Sequence, residues 1–175
     1  FRFTLHQLTQ DGFHENVFHN KDDTNERGEF SSRLKVRWLA NEDLEVNGTI
    51  LYANFDNGYD EFSLGNTEFK TFSDSPGRDV QETKAGSLRA TWFGQDDFTL
   101  TSVTSAVETD SVYSYDADWG AGYIAALGTP AESGYFGFLS VDRRRNVYSE
   151  ELRIDSKDKK NALGFIDRWT LGLYY

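Results

Sequence analysis

Between Phe30 and Phe55 the chain alternates. Phe30, Leu34, Val36 and Trp38 recur on one side against Ser31, Arg33, Lys35 and Arg37 on the other. After the polar turn Asn41-Glu42-Asp43, Leu44, Val46 and Ile50 resume the apolar side against Glu45, Asn47 and Thr49. Successive side chains of a strand point to opposite faces, so the pattern predicts an antiparallel hairpin with one apolar and one polar face. A register symmetric about the turn puts Arg37 opposite Glu45, a favourable cross-strand pair. The hairpin then recurs. WLANEDLEV (Trp38–Val46) aligns without a gap on WFGQDDFTL (Trp92–Leu100), with Leu88, Ala90, Trp92, Phe98 and Leu100 on the apolar side. Two copies are too few for a solenoid; one structural problem is being solved twice.

Around these hairpins the pattern predicts seven strands. Phe1 to Leu8 is a strand, and Asp11 to Gly28 a long polar connection. Asn57 to Arg78 is a second long connection, with Gly58, Gly65 and Ser75-Pro76-Gly77 as turn signals. The second hairpin spans Val80 to Thr109, and the drift from Phe98 and Leu100 to Val103 and Val107 predicts a bulge in its outgoing strand. Asp110 to Arg145 is the third and longest connection. Asn146 to Asp155 is a strand, Ser156 to Asp167 a turn region, and Arg168 to Tyr175 the last strand, with Trp169, Leu171, Leu173 and Tyr175 on one face.

Long and short connections therefore alternate. A compact soluble domain mostly uses connections of about four to six residues, whereas a transmembrane barrel has short turns at one end and long loops at the other. Trp38, Trp92 and Trp169 lie on apolar faces beside the shorter connections, where an aromatic girdle at a membrane interface would sit. Trp119 alone falls in a long loop. A soluble β-sandwich that binds carbohydrate, its strands lined by the same aromatics, stays open on periodicity alone. Charged residues on the polar face (Arg33, Lys35, Arg37, Glu45, Arg89) suit a lumen and a solvated sandwich equally.

Composition narrows the classes further. A net charge of −11 argues against nucleic acid as partner. The absence of cysteine excludes disulfides and thiolate metal sites. No apolar run approaches the ~20 residues of a membrane helix, which says nothing against barrel strands. A chain of 175 residues, without methionine and opening and closing inside alternating runs, reads as a piece of a longer one.

The C-terminal stretch NVYSEELRIDS, followed by RWTLGLYY, resembles a strand pair of the TonB-dependent outer-membrane receptors. The likeness lies in Tyr148, Ser149, Glu151, Leu152, Arg153, Ile154 and Ser156, then Trp169, Gly172, Leu173 and Tyr174. Upstream, QDGFHENVFHNKDDTNERGEFSSRLKVRWLANEDLEV and FTLTSVTSAVE are similar to further strands and loops of that family, so the likeness covers nearly the whole chain. It implies an all-β, antiparallel up-and-down transmembrane β-barrel segment of about seven strands. Residues 1–175 would be a partial barrel domain of a larger plugged barrel of ~22 strands. The implied function is energy-coupled uptake of a scarce ligand, such as an iron-siderophore, across the bacterial outer membrane. The implied partners are the TonB complex, reached through a plug not in this chain, and outer-membrane lipid. A passive porin-like channel would share the same wall.

Candidate chemistry is sparse. No nucleophile, base and orienting group recur at an informative spacing, so no enzyme is expected. His6, His14 and His19 read as solvated, with no metal site among them. GAGYIA (Gly120–Ala125) matches a dinucleotide fingerprint only by chance, lacking the flanking strand and acidic residue. Arg143-Arg144-Arg145 stands where the third connection rejoins its strand, able to meet lipopolysaccharide phosphates or acidic loops. The third connection itself clusters Tyr113, Tyr115, Asp116, Asp118 and Trp119, and the second holds Tyr59, Asp60 and Phe62. Aromatics beside carboxylates can stack on flat ligands and accept hydrogen bonds from hydroxyls, and carboxylates at alternate positions can hold Ca²⁺. A solvated acidic loop explains them too. The expectation is that these loops meet ligand at an outer mouth; no cofactor is expected.

Overall fold

The computed structural model describes residues 1–63, 68–120, 137–157 and 168–175. Ten strands form, and no helix occurs among the described residues. They are β1 (Arg2–Gln10), β2 (His14–Asn16), β3 (Lys21–Thr24), β4 (Arg27–Leu39), β5 (Leu44–Tyr59), β6 (Lys70–Thr71), β7 (Gly77–Trp92), β8 (Phe98–Asp116), β9 (Phe138–Ser156) and β10 (Thr170–Tyr174). Seven make one antiparallel up-and-down sheet, ordered β1-β4-β5-β7-β8-β9-β10; β3, β2 and β6 make a small second sheet. The described strands form an open sheet with β1 and β10 at its edges.

The two hairpins share a register, with Trp38 opposite Val46 and Trp92 opposite Leu100. That register places Asn47, not Glu45, opposite Arg37. The expected ion pair forms diagonally instead, Arg37 Nη2 to Glu45 Oε2 at 2.7 Å. The observed register is centred on Glu42, the middle of the polar triplet, whereas Arg37 opposite Glu45 would need a turn centred one residue earlier, on Asn41.

Residues paired across an antiparallel ladder share a face, so the register maps both faces. Trp92 aligns with Leu44 and Leu100, then Ile154 and Leu171. Phe3, Leu34 and Ile50 align likewise. On β5 the apolar face carries Leu44, Val46, Gly48, Ile50 and Tyr52, and on β8 Phe98, Leu100, Ser102, Thr104 and Ala106. Eight residue steps in each case give a band about 27 Å long at ~3.4 Å per step. Beyond it the same face turns ionic: Arg78 pairs with Asp56 at 2.6 Å, Arg144 with Asp110 at 2.6 Å, and Lys84 with Glu82. The opposite face is polar beside the band, where Arg153 reaches both Glu151 and Asp155.

This sheet has almost no core. Ala53 is the one buried hydrophobic side chain among the described residues, while Trp38, Ile50, Leu88, Leu171 and Leu173 stand exposed. The chain exposes 12336 Å², where a compact monomer of this length exposes about 8,700 Å².

Two expectations are corrected. The strands β8 and β9 run on to Asp116 and back from Phe138, so much of the stretch expected as a third connection is strand. Beyond the band both faces are polar, and the period-two signal disappears while the ladder continues. The drift to Val103 and Val107 is not a bulge, since the β7–β8 and β8–β9 registers run without a shift. Those valines sit on the polar face, opposite Arg89 and Ala85. Residues 158–167, within the expected last turn, and 121–125 of the GAGYIA match lie outside the described residues.

Candidate functional site

The long connections meet at the end of the sheet opposite the hairpin turns, and close approaches fix how they meet. A Cβ on Gly77 would lie 1.8 Å from the Ser114 carbonyl oxygen, so the start of β7 can cross β8 there only with glycine. Gly120 has φ +79°, a conformation most side chains avoid, and its Cβ would lie 2.6 Å from the Phe72 carbonyl oxygen. The stretch after β8 is thereby laid on the stretch before β7.

The two clusters named from sequence become one. Tyr59 contacts Tyr113 edge-on with ring centroids 4.9 Å apart and Phe62 at 5.9 Å. Phe62 in turn touches Tyr115 at 5.9 Å and Trp119 at 5.8 Å, and Tyr113 meets Tyr115 at 5.7 Å. Tyr59 ends β5, and Tyr113 and Tyr115 lie in the last rungs of the ladder near the end of β8, all on the polar face. Burial, then the hydrogen bond with Tyr113, pushes the Tyr59 phenol above its ordinary 10.

Asp60, expected beside ligand, is instead buried under this patch at 4 % exposure. Its Oδ2 accepts from Asn16 Nδ2 and from Thr71 Oγ1, both at 2.9 Å. Asn16 also donates to the Ser73 carbonyl at 2.9 Å, and its Oδ1 accepts the His19 amide. His14, expected to be solvated, is buried, its Nδ1 2.7 Å from the Asp60 carbonyl. Short strands β2 and β6 pair in parallel to hold these groups, with Lys70 on Glu15 at 2.7 Å. No hydrophobic periodicity could have announced this polar knot; a three-residue and a two-residue strand carry none.

Asp116 and Asp118 are also buried, at 6 % and 7 % exposure. Asp116 Oδ1 accepts the amides of Asp118 (3.0 Å) and Trp119 (3.1 Å), while Asp118 accepts those of Gly120 and Gly137, both at 3.0 Å. Burial raises the Asp116 carboxyl above the usual range. A third carboxylate joins them: oxygens of Asp74, Asp116 and Asp118 lie within 4.8 Å of one another. Sequence spacing could not reveal Asp74, which comes from a different connection.

Of the arginine triplet, Arg144 is committed to Asp110 on the neighbouring strand, while Arg143 and Arg145 face the other way, opposite Ser111 and Thr109. Trp38 and Trp92 lie on the apolar face near the hairpin turns, and Trp169, whose carbonyl accepts from the Ser156 amide, falls at the same end. Comparison with protein-family models, curated proteins and solved structures finds no match.

Proposed function

We propose that the chain is part of the wall and outer mouth of an outer-membrane β-barrel receptor of the TonB-dependent kind, taking up a scarce small ligand such as an iron-siderophore. The observation that carries the reading is the apolar band. It occupies one face only, has the same length on β5 and β8, carries tryptophans near one rim, and gives way to ion pairs at the other. An outer-membrane barrel needs an apolar exterior about 25 Å tall between aromatic girdles, with a polar interior. Strands of 16 and 19 residues exceed the ~9–11 needed to span, which suits walls rising past the lipid toward loops.

The resemblance supplies energy coupling, and with it active uptake through TonB; a passive channel would share this wall. At the mouth, Tyr59, Phe62, Tyr113, Tyr115 and Trp119 would stack on ligand, while the carboxylates beneath them shape the loops. A soluble carbohydrate-binding sandwich would need a second layer over the apolar face, and among the described residues none covers it. Expressing these residues alone tests the reading. An open sheet with two free edges and an exposed apolar band should aggregate or require detergent. A cooperative monomer in water would overturn the proposal.

A further inference from the structure

We propose that Asp74, Asp116 and Asp118, with the Ser73 hydroxyl, form a Ca²⁺ site that fastens the stretch before β7 to the loop after β8. Carboxylate oxygens within 4.8 Å of one another can all reach one ion at the about 2.3–2.6 Å of calcium–oxygen contacts. The independent observation is unpaired buried polarity at the same place. Ser73 is 1 % and Asp116 6 % exposed, yet Ser73 Oγ and Asp116 Oδ2 have no hydrogen-bond partner. The two are neighbours, both lining one small cavity. Asp60 Oδ1 is likewise unpaired, and Asp60, Ser73 and Asp116 line one cavity of about 10 Å³, which Asp116 shares with the carboxylate triad, room for one small occupant.

Native proteins rarely leave such groups unsatisfied, so an occupant is called for. Among the described residues no lysine or arginine pairs with Asp74 or Asp116. The amides on Asp116 and Asp118 orient the carboxylates without consuming their capacity, because an ionised carboxylate offers about four acceptor sites. The donors are all hard oxygens with no imidazole or thiolate, which selects Ca²⁺ over zinc or copper. Magnesium fits less well, demanding near-octahedral geometry that carboxylates from two loop segments do not impose. The site does not rest on the barrel reading, because its residues converge whatever covers the sheet.

The test uses the intact protein in any medium that keeps it folded, stripped with chelator and then titrated. Ca²⁺ alone is followed by calorimetry and Tb³⁺ by emission sensitised through Trp119 and Tyr115. Asp116→Asn should lower bound Ca²⁺ by one ion per chain and abolish the sensitised emission. Asp97→Asn, in the hairpin turn at the far end, should leave both intact. Should Asp116→Asn not fold, Ser73→Ala carries the test, with Ca²⁺ affinity expected to fall about tenfold. A folded Asp116→Asn protein with unchanged stoichiometry and emission overturns the site, as does unchanged affinity in Ser73→Ala where that variant carries the test. A buried water would then be the occupant.

Discussion

Leu88→Arg separates a sheet facing lipid from one facing water. Leu88 stands on the apolar face between Gly48 and Thr104, and it is 54 % exposed. Four residues along β7 bring the chain to Trp92, about 14 Å at ~3.4 Å per residue. With strands tilted ~40°, that is a depth of about 10 Å, close to the middle of a ~25 Å band. An arginine there costs about 2–4 kcal/mol, against about 0–1 kcal/mol near an interface. Leu100, paired with Trp92, supplies the interfacial comparison, and Ser87→Arg the polar-face control.

The assay is denaturant unfolding of the intact protein in lipid bilayers, each variant against the parent. Leu88→Arg should cost at least about 1 kcal/mol more than Leu100→Arg, the gap between the midplane and interfacial ranges. If the apolar face met water, Leu88→Arg would be an ordinary surface change of about 0.5 kcal/mol or less. A Leu88→Arg penalty no larger than that of Ser87→Arg would refute the membrane reasoning outright.

Four further outcomes follow from the same geometry. Glu150 is a charge inside the band, accepting from Ser102 Oγ at 3.0 Å and Thr104 Oγ1 at 2.5 Å; Glu150→Gln removes the charge while keeping one acceptor oxygen and offering an amide N–H to the other hydroxyl's oxygen, and should stabilise the protein in bilayers by up to about 2 kcal/mol. Gly77→Ala should destabilise by about 1–3 kcal/mol in the same unfolding assay, because its Cβ would strike the Ser114 carbonyl. The Tyr59 phenol is raised by burial beyond the band, so its contribution to stability is complete below about pH 10 and fades as pH rises through the folded value; tyrosinate absorbance should show one late-titrating phenol, missing in Tyr59→Phe. Trp119→Ala with Tyr115→Ala should weaken ligand uptake in cells while barrel assembly, read by gel mobility, is unchanged.

The seven sheet strands were legible because lipid-like or core-like surroundings impose period two, and the gapless match of Trp38–Val46 to Trp92–Leu100 carried over into identical registers. Legibility ended where the band ended. From Asp110 to Asp116 nothing distinguishes the two faces in hydropathy, so continuing strand read as loop. The loop end was legible only in its aromatics. Tyr59 and Tyr113 were named from composition of their segments, but the contact between them follows from the β5–β7–β8 ladder. His14, Asn16, Thr71 and Ser73 were invisible because their burial depends on side chains reaching across long connections. A sequence window holds no trace of that.

Burial in this molecule is inverted, and the inversion differs at the two ends. Along the band, apolar side chains stand outside because nothing in the described chain covers them. At the loop end, polar side chains are buried because three connections satisfy one another's donors and acceptors. On the proposed function, the second arrangement bears directly on binding. Asp60 is held by Asn16 and Thr71, and Asp116 by the amides of Asp118 and Trp119, so the aromatic rings above them rest on fixed supports. A ligand meeting preset rings loses less ordering free energy than one that must arrange a mobile loop. Asn16→Ala leaves every ring in place chemically but removes two donors from beneath them. It should therefore weaken ligand binding without touching ligand, and do so through faster dissociation, as most changes within one interface do. Equal dissociation rates for Asn16→Ala and the parent would mean that the buried knot supports the fold alone and the rings position themselves.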